Sequence, residues 1–272
     1  MQRNADPEAA EAPLGEAMAR WQRLLKKIRR SAGAVRDLDV HRGLIADLLN
    51  DAAKPEPVPD SAVLESDMES VRESPASAVP LQTPLQKQAE DLDAWLRHTR
   101  HEHSQPLVDG AKKWADKLDA HLAACTEALQ THPVPRRRPA SAAVTALEAF
   151  ARLSSEMQQL YVDNLHDFRK GAKKARYMAE TGGEDEYAGS VGRALKKLQD
   201  EIGDWHDWLV LAEEAHSALG DQGAELIARI EYKREQHYQS AMKTAERMRG
   251  RLMGEWRASA TKPRHATHPA RP

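Results

Sequence analysis

Between His166 and Tyr177, the stretch LHDFRKGAKKARYMAE carries His166, Arg169, Lys170, Lys173, Lys174 and Arg176 against one acid, Asp167. At about 100° per residue, Leu165, Phe168, Ala172, Ala175 and Ala179 fall on one apolar stripe of a helix. His166, Arg169, Lys173 and Arg176 or Tyr177 form a polar stripe beside it, widened by Lys170 and Lys174. Like charges three or four residues apart destabilise a helix slightly, so a face chosen for stability alone would interleave Glu. The chemistry on offer is capture of a polyanion, with Arg presenting forked donors to phosphate oxygens and Lys a mobile point charge. The competing reading is a solvated face whose cations pair with acids on neighbouring helices.

Other residues could do other chemistry. The doublets His166-Asp167 and His206-Asp207 suggest a metal-dependent phosphohydrolase, which would need further ligands converging on them. Asp167 stands among cations that disfavour a metal ion. Asp37 and Asp207 read as residues that cap a helix or pair with a cation. In WLRHTRHEHSQP, His98 and His101 share a helix face with Glu102 nearby and His103 beyond, a conceivable zinc set that lacks an evident fourth ligand. No P-loop, nucleophile elbow, dinucleotide-binding glycine turn or paired catalytic carboxylate occurs. The expectation is therefore a protein that is not an enzyme, with no cofactor and no metal.

The elements that must position these residues are helical. Of 272 residues, 40% are apolar, 30% charged and 5% aromatic, and the chain is formally −2. Such a composition, with few β-branched stretches, predicts an all-α fold. The basic stretch is therefore local and not a property of the whole. Cys125 is the only cysteine, which excludes an intramolecular disulfide. No apolar leader or 18-residue apolar run is seen, and a cytoplasmic protein with no membrane partner is expected.

Residues 1–13 read as a disordered lead-in. A helical pattern follows from Leu14, and a Pro-rich flexible loop spans 51–80. Two helices are expected near 85–104 and 107–131, with Pro106 as the break. A Pro/Arg linker spans 133–140, and Ser141 is placed to cap the next helix. Further helices are predicted near 141–160, 162–181, 185–218 (with a break near Gly203) and 221–259, before a disordered tail over 260–272. Trp205 and Trp208, beside Ile202 and Leu209, should pack a core.

An internal repeat organises the chain. Leu25 to Val40 reads LKKIRRSAGAVRDLDV and Leu195 to Val210 reads LKKLQDEIGDWHDWLV. A constant offset aligns Lys27 with Lys197, Gly33 with Gly203 and Asp37 with Asp207. Two related helical halves, 14–132 and 141–259, are the expected architecture.

LHDFRKGAKKARYMAE resembles the signature helix of the CHAD family, the conserved histidine α-helical domain. AGAVRDLDVHRGLIADLL and LKKLQDEIGDWHDWLVL are similar to the family's second motif, although His206 stands where the first copy has Arg36. The resemblance covers about 14 to 259. It implies two pseudo-symmetric helical bundles with a basic surface or channel between them, and binding of inorganic polyphosphate in the bacterial cytoplasm, with association to polyphosphate granules. By position, the implied contacts are His166, Arg169, Lys170, Lys173, Lys174, Arg176 and Tyr177, joined by Lys27, Arg30 and Arg36 from the first half and by Lys197.

In the second half the histidine helix begins well before Gly203. The same distance before Gly33 falls upstream of Met1, so the first half is expected to lack its first helix. The reading frame is accordingly expected to extend upstream and encode a His-x-x-Arg helix. Without that helix Leu24, Ile28 and Val35 would be partly uncovered. The alternatives to a polyphosphate binder are the His-Asp phosphohydrolase, a helical scaffold whose cations pair internally, and a nucleic-acid-binding protein. The last is disfavoured because only Phe168 and Tyr177 among the basic residues are aromatic, and Phe168 belongs to the core stripe.

Overall fold

A computed structural model describes residues 7–52, 83–131 and 141–261. The described residues form six α-helices and no strand: α1 Pro7–Ala52, α2 Pro84–Thr131, α3 Ala142–Glu156, α4 Val162–Glu180, α5 Glu186–Leu219 and α6 Ala224–Thr261. A 3₁₀ turn, Gly220–Gly223, joins the last two. The fold is all-α, as the composition requires. The residues expected to form the Pro-rich loop, from 53 on, the linker at 133–140 and most of the tail lie outside the described residues.

Helix boundaries follow local chemistry. α1 begins at Pro7, ahead of the expected Leu14; proline is at home in a first helical turn, and the Glu/Ala-rich residues after it favour helix. α2 starts on a capping box: the Gln86 backbone N–H donates to Thr83 Oγ1 at 3.2 Å, and the Thr83 N–H donates to Gln86 Oε1 at 2.9 Å. Ser141 takes the N-cap position of α3 without a side-chain hydrogen bond. Asp185 caps α5 by accepting from the backbone N–H groups of Tyr187 and Ala188, at 2.9 and 3.3 Å. Gly183, at φ 58°, makes the left-handed turn between α4 and α5.

Two expected breaks are absent. α2 runs unbroken through Pro106. Proline removes one backbone donor, but Glu102, whose carbonyl loses that bond, is exposed together with His101, His103, Gln105 and Pro106, so water can serve the carbonyl. The Ser104 hydroxyl donates to the His101 carbonyl in the same turn, at 2.8 Å. α5 likewise continues through Gly203, a residue with a different task.

The chain forms two compact units. One comprises residues 1–21, 119–212 and 230–272. Its core joins Leu147 and Phe150 of α3, Leu165 and Phe168 of α4, Leu195, Leu198, Ile202 and Trp205 of α5, and Ala241, Ala245 and Leu252 of α6. Trp208 is also buried, stacked on His237 with ring centroids 5.9 Å apart. The other unit comprises residues 22–118 and 213–229. Here Val35, Leu38, Ile45 and Leu48 of α1 and Leu85, Leu92 and Leu96 of α2 are buried. Val35 is thus covered, while Leu24 and Ile28 are half-buried. His41 Nδ1 lies 2.7 Å from Glu214 Oε2, and Asp93 holds both Arg42 and Arg97, at 2.6 and 3.0 Å.

Candidate polyanion-binding site

The site is built on α4. Leu165, Phe168, Ala172, Ala175 and Ala179 are all buried, the five residues whose spacing predicts an apolar stripe. Phe168 meets Phe150 edge-on with ring centroids 5.8 Å apart. Gly171 lets α3 approach, since a Cβ there would collide with the Leu153 side chain. The helix starts where the Tyr161 N–H donates to Asn164 Oδ1 at 3.0 Å, and Asn164 Nδ2 donates to the Gln159 carbonyl at 2.8 Å. With the apolar stripe fixed inward, the direction of every other α4 side chain is set.

The cations divide into two kinds. Arg169 turns toward α5: its Nε–H donates to the Gln199 carbonyl at 3.1 Å. A Cβ at Gly203 would stand 2.9 Å from Arg169 Nη2 and 3.3 Å from Nε. The glycine is the slot that admits the guanidinium. Gly33, its counterpart in the repeat, has no atom within 4 Å of where a Cβ would stand. Arg176 is half-buried, with Nε 3.3 Å from Glu180 Oε1 and Cζ 4.8 Å from the Tyr177 ring centroid. Arg169 thus ties α4 to α5, and Arg176 is held along α4 itself.

Of the lysines, Lys170 and Lys174 are exposed and Lys173 is half-buried. Lys170 Nζ holds Asp167 Oδ1 at 3.0 Å with more than half of both side chains in water, an ion pair worth little in that setting. Lys173 Nζ lies 5.8 Å from the Tyr177 ring centroid, and Lys174 is exposed. Neither has a carboxylate within ion-pair distance among the described residues. Tyr177, 45% exposed, closes the patch.

His166 sits behind the lysines, its ring tilted 35° against His206 of α5 with centroids 4.2 Å apart. Its Nδ1 is buried without a hydrogen-bond partner. Burial, then the charges of Lys170 and Arg169, pull its pKa below the ordinary histidine value against the opposing Asp167. The ring is therefore neutral at pH 7 and the patch owes its charge to lysine and arginine. The Lys170 hydrogen bond holds the Asp167 carboxyl below its usual range.

One contributor escaped the sequence reading. Arg249 of α6 donates to the carbonyls of Met157 and Gln158, at 2.7 and 2.8 Å, and stands over the Phe168 ring at 5.0 Å. It secures the turn that delivers α4, as a cation at the C-terminal end of α3. Nothing in the sequence sets it apart from the other α6 arginines.

Lys197 is exposed on α5 in the same unit, whereas Lys27, Arg30 and Arg36 are exposed on α1 in the other unit. Lys27 lies over the Trp114 ring at 5.7 Å, and Arg36 faces Asp37 at 3.4 Å. His98 lies 3.5 Å from Glu102, and His101 contacts Gln105. Among the described residues, no three His, Cys, Asp or Glu side chains are grouped to hold a metal ion. No described helix is long and apolar enough to cross a membrane.

The family model for the CHAD domain matches residues 11–216, from α1 through most of α5. The chain belongs to the CHAD-domain family. No curated protein and no solved structure matches the chain. The α4 patch lies inside the CHAD match, whereas α6, which supplies Arg249, lies beyond it.

Proposed function

We propose that this CHAD-domain protein binds inorganic polyphosphate, without chemical turnover, on the α4 ridge formed by Lys170, Lys173, Lys174 and Tyr177. The observation that carries the reading is the division of the α4 cations. Arg169 is bonded to α5 and Arg176 is paired with Glu180, while half-buried Lys173 and exposed Lys174 meet no acid of the described chain that would neutralise them. A ridge of mobile ammonium groups suits a flexible chain of phosphates, whose attraction is electrostatic and sequence-free. Association with polyphosphate granules follows from the same affinity. RNA recognition would want more exposed aromatic surface than Tyr177 offers.

The test is a competition experiment at fixed salt, with labelled polyphosphate displaced by unlabelled polyphosphate or by single-stranded RNA. Polyphosphate should displace at far lower phosphate concentration than RNA, and Lys173→Gln/Lys174→Gln should weaken the binding. Equal displacement by RNA would turn the reading toward nucleic acid.

A further inference from the structure

Among the described residues of α2, three large apolar side chains stand exposed: Val108, Leu122 and Leu129, at 67%, 51% and 48%. Single exposed apolar residues are ordinary, but these three lie fourteen and seven residues apart. Ala115, also exposed, takes the place midway between Val108 and Leu122. All four belong to one unbroken helix, so helical geometry alone sets their placement. They occupy about 60° of arc and run roughly 30 Å along α2. A seven-residue apolar repeat suits a second helix laid alongside, because a slight supercoil keeps such a stripe against its neighbour.

The stripe is not the face that α2 turns to α1. Lys27 of α1 lies over the buried Trp114 ring at 5.7 Å, and the stripe is turned about 90° from Trp114. Leu25 is the exposed large apolar side chain of α1, at 38%. The two helices run antiparallel, with Asp39 on Arg100, Arg42 on Asp93 and Lys27 on Trp114. Leu25, two residues before Lys27, therefore lies near the level of Ala115. It is turned about 80° from the buried Val35, in the same rotational sense as the stripe from Trp114. In an antiparallel pair, equal turns in one sense carry Leu25 and Ala115 to the same side.

The charges beside the stripe are complementary to themselves. Lys112 and Asp119 flank it on one edge, both exposed, and neither makes an ion pair among the described residues. A two-fold axis through Ala115, with two α2 helices antiparallel, brings Lys112 of each chain to the partner's Asp119. The same operation lays Val108 beside the partner's Leu122, and the small Ala115 at the axis permits close approach.

We infer that the Val108–Leu129 stripe of α2, widened by Leu25, is a self-association surface on which two copies of this chain pair antiparallel. The contact is isologous and closes on itself, so it ends at a dimer. It is independent of what α4 binds.

Sedimentation velocity of the full chain over a range of concentrations tests this. The wild type should pass from monomer to dimer as concentration rises. Leu122→Glu should raise the dissociation constant by about tenfold or more, with the melting temperature of the dilute monomer unchanged. Val108→Glu serves the same arm should Leu122→Glu fail to fold. Lys112→Asp and Asp119→Lys should each weaken the dimer, and the two together should restore it. A wild type that stays monomeric overturns the inference, and a loss of melting temperature in its Leu122→Glu variant would then show the stripe covered within its own chain. A dimer indifferent to both glutamate variants places the contact elsewhere and overturns it too. So does a dimer that the paired charge exchange fails to restore, since the antiparallel register requires that rescue.

Discussion

Two glycines in equivalent helical contexts should respond to alanine with opposite signs. Replacing a glycine in a helix interior by alanine stabilises by about 1 kcal/mol when the new methyl meets nothing. Gly33 is such a site, since no atom lies within 4 Å of the added Cβ. At Gly203 the methyl would stand 2.9 Å from Arg169 Nη2, and the guanidinium must withdraw from the Gln199 carbonyl it now bonds at 3.1 Å. A hydrogen bond to a charged group contributes about 1.5–3 kcal/mol. Set against the helical gain, Gly203→Ala should destabilise by about 0.5–2 kcal/mol, while Gly33→Ala stabilises by about 1. Urea unfolding of both variants measures this. The decisive arm is Gly203→Ala in an Arg169→Ala background, where no guanidinium remains to displace and the alanine should again stabilise by about 1 kcal/mol. If Gly203→Ala stabilises the native protein as Gly33→Ala does, or costs the same with and without Arg169, the slot account is wrong.

Phe168→Ala, which empties a fully buried position in the core, should cost about 3–5 kcal/mol in the same unfolding assay; a cost below about 1 would deny its place there. Lys173→Gln/Lys174→Gln should weaken polyphosphate binding with the melting temperature nearly unchanged, because neither ammonium group makes an ion pair with an acid of the described chain and Lys174 is exposed. With three lysines on the α4 ridge, the affinity of that site should fall against salt with a log–log slope of roughly −2, and a flat dependence would remove the electrostatic account. His166 holds its proton less tightly folded than unfolded. The unfolded chain therefore binds more protons once the pH falls below about 6.5, and His166 lowers stability progressively from there down to its folded pKa. His166→Gln should flatten that acid-side loss, and an unchanged pH profile would show that His166 does not titrate in this way.

The apolar face of α4 was legible residue by residue because one periodicity fixes which side of a helix is buried, and Leu165, Phe168, Ala172, Ala175 and Ala179 obey it. The family was legible for a related reason, as its motifs combine that periodicity with charge at set spacing. Arg169 was not separable from its neighbours. Its type and spacing match a surface ligand, and only a glycine thirty-four positions on, brought alongside by packing, draws it inward. Gly203 itself stood out through its register with Gly33, yet its local pattern suggested a break, whereas its use is to leave room. Pro106 misled in the same direction: the rule that proline ends a helix assumes a carbonyl with nowhere else to turn, and an exposed turn supplies water. His166 and His206 raised the question of a metal because each precedes an Asp. The structure brings the two rings within 4.2 Å of each other, a relation no spacing along the chain could show.

The division of labour on α4 also separates two kinds of covalent chemistry. Acetylation reaches lysine and abolishes its charge. On this helix it would strike the exposed Lys170 and Lys174 and the half-buried Lys173, and would leave untouched Arg169 and Arg176. The surface could thus be discharged in steps, each acyl group loosening a bound polyanion a little further, while the bundle beneath remained assembled. A reagent directed at arginine would have the reverse effect on this unit. By loosening Arg169 from α5 or Arg249 from the α3–α4 turn, it would dismantle the platform while the lysines kept their charge.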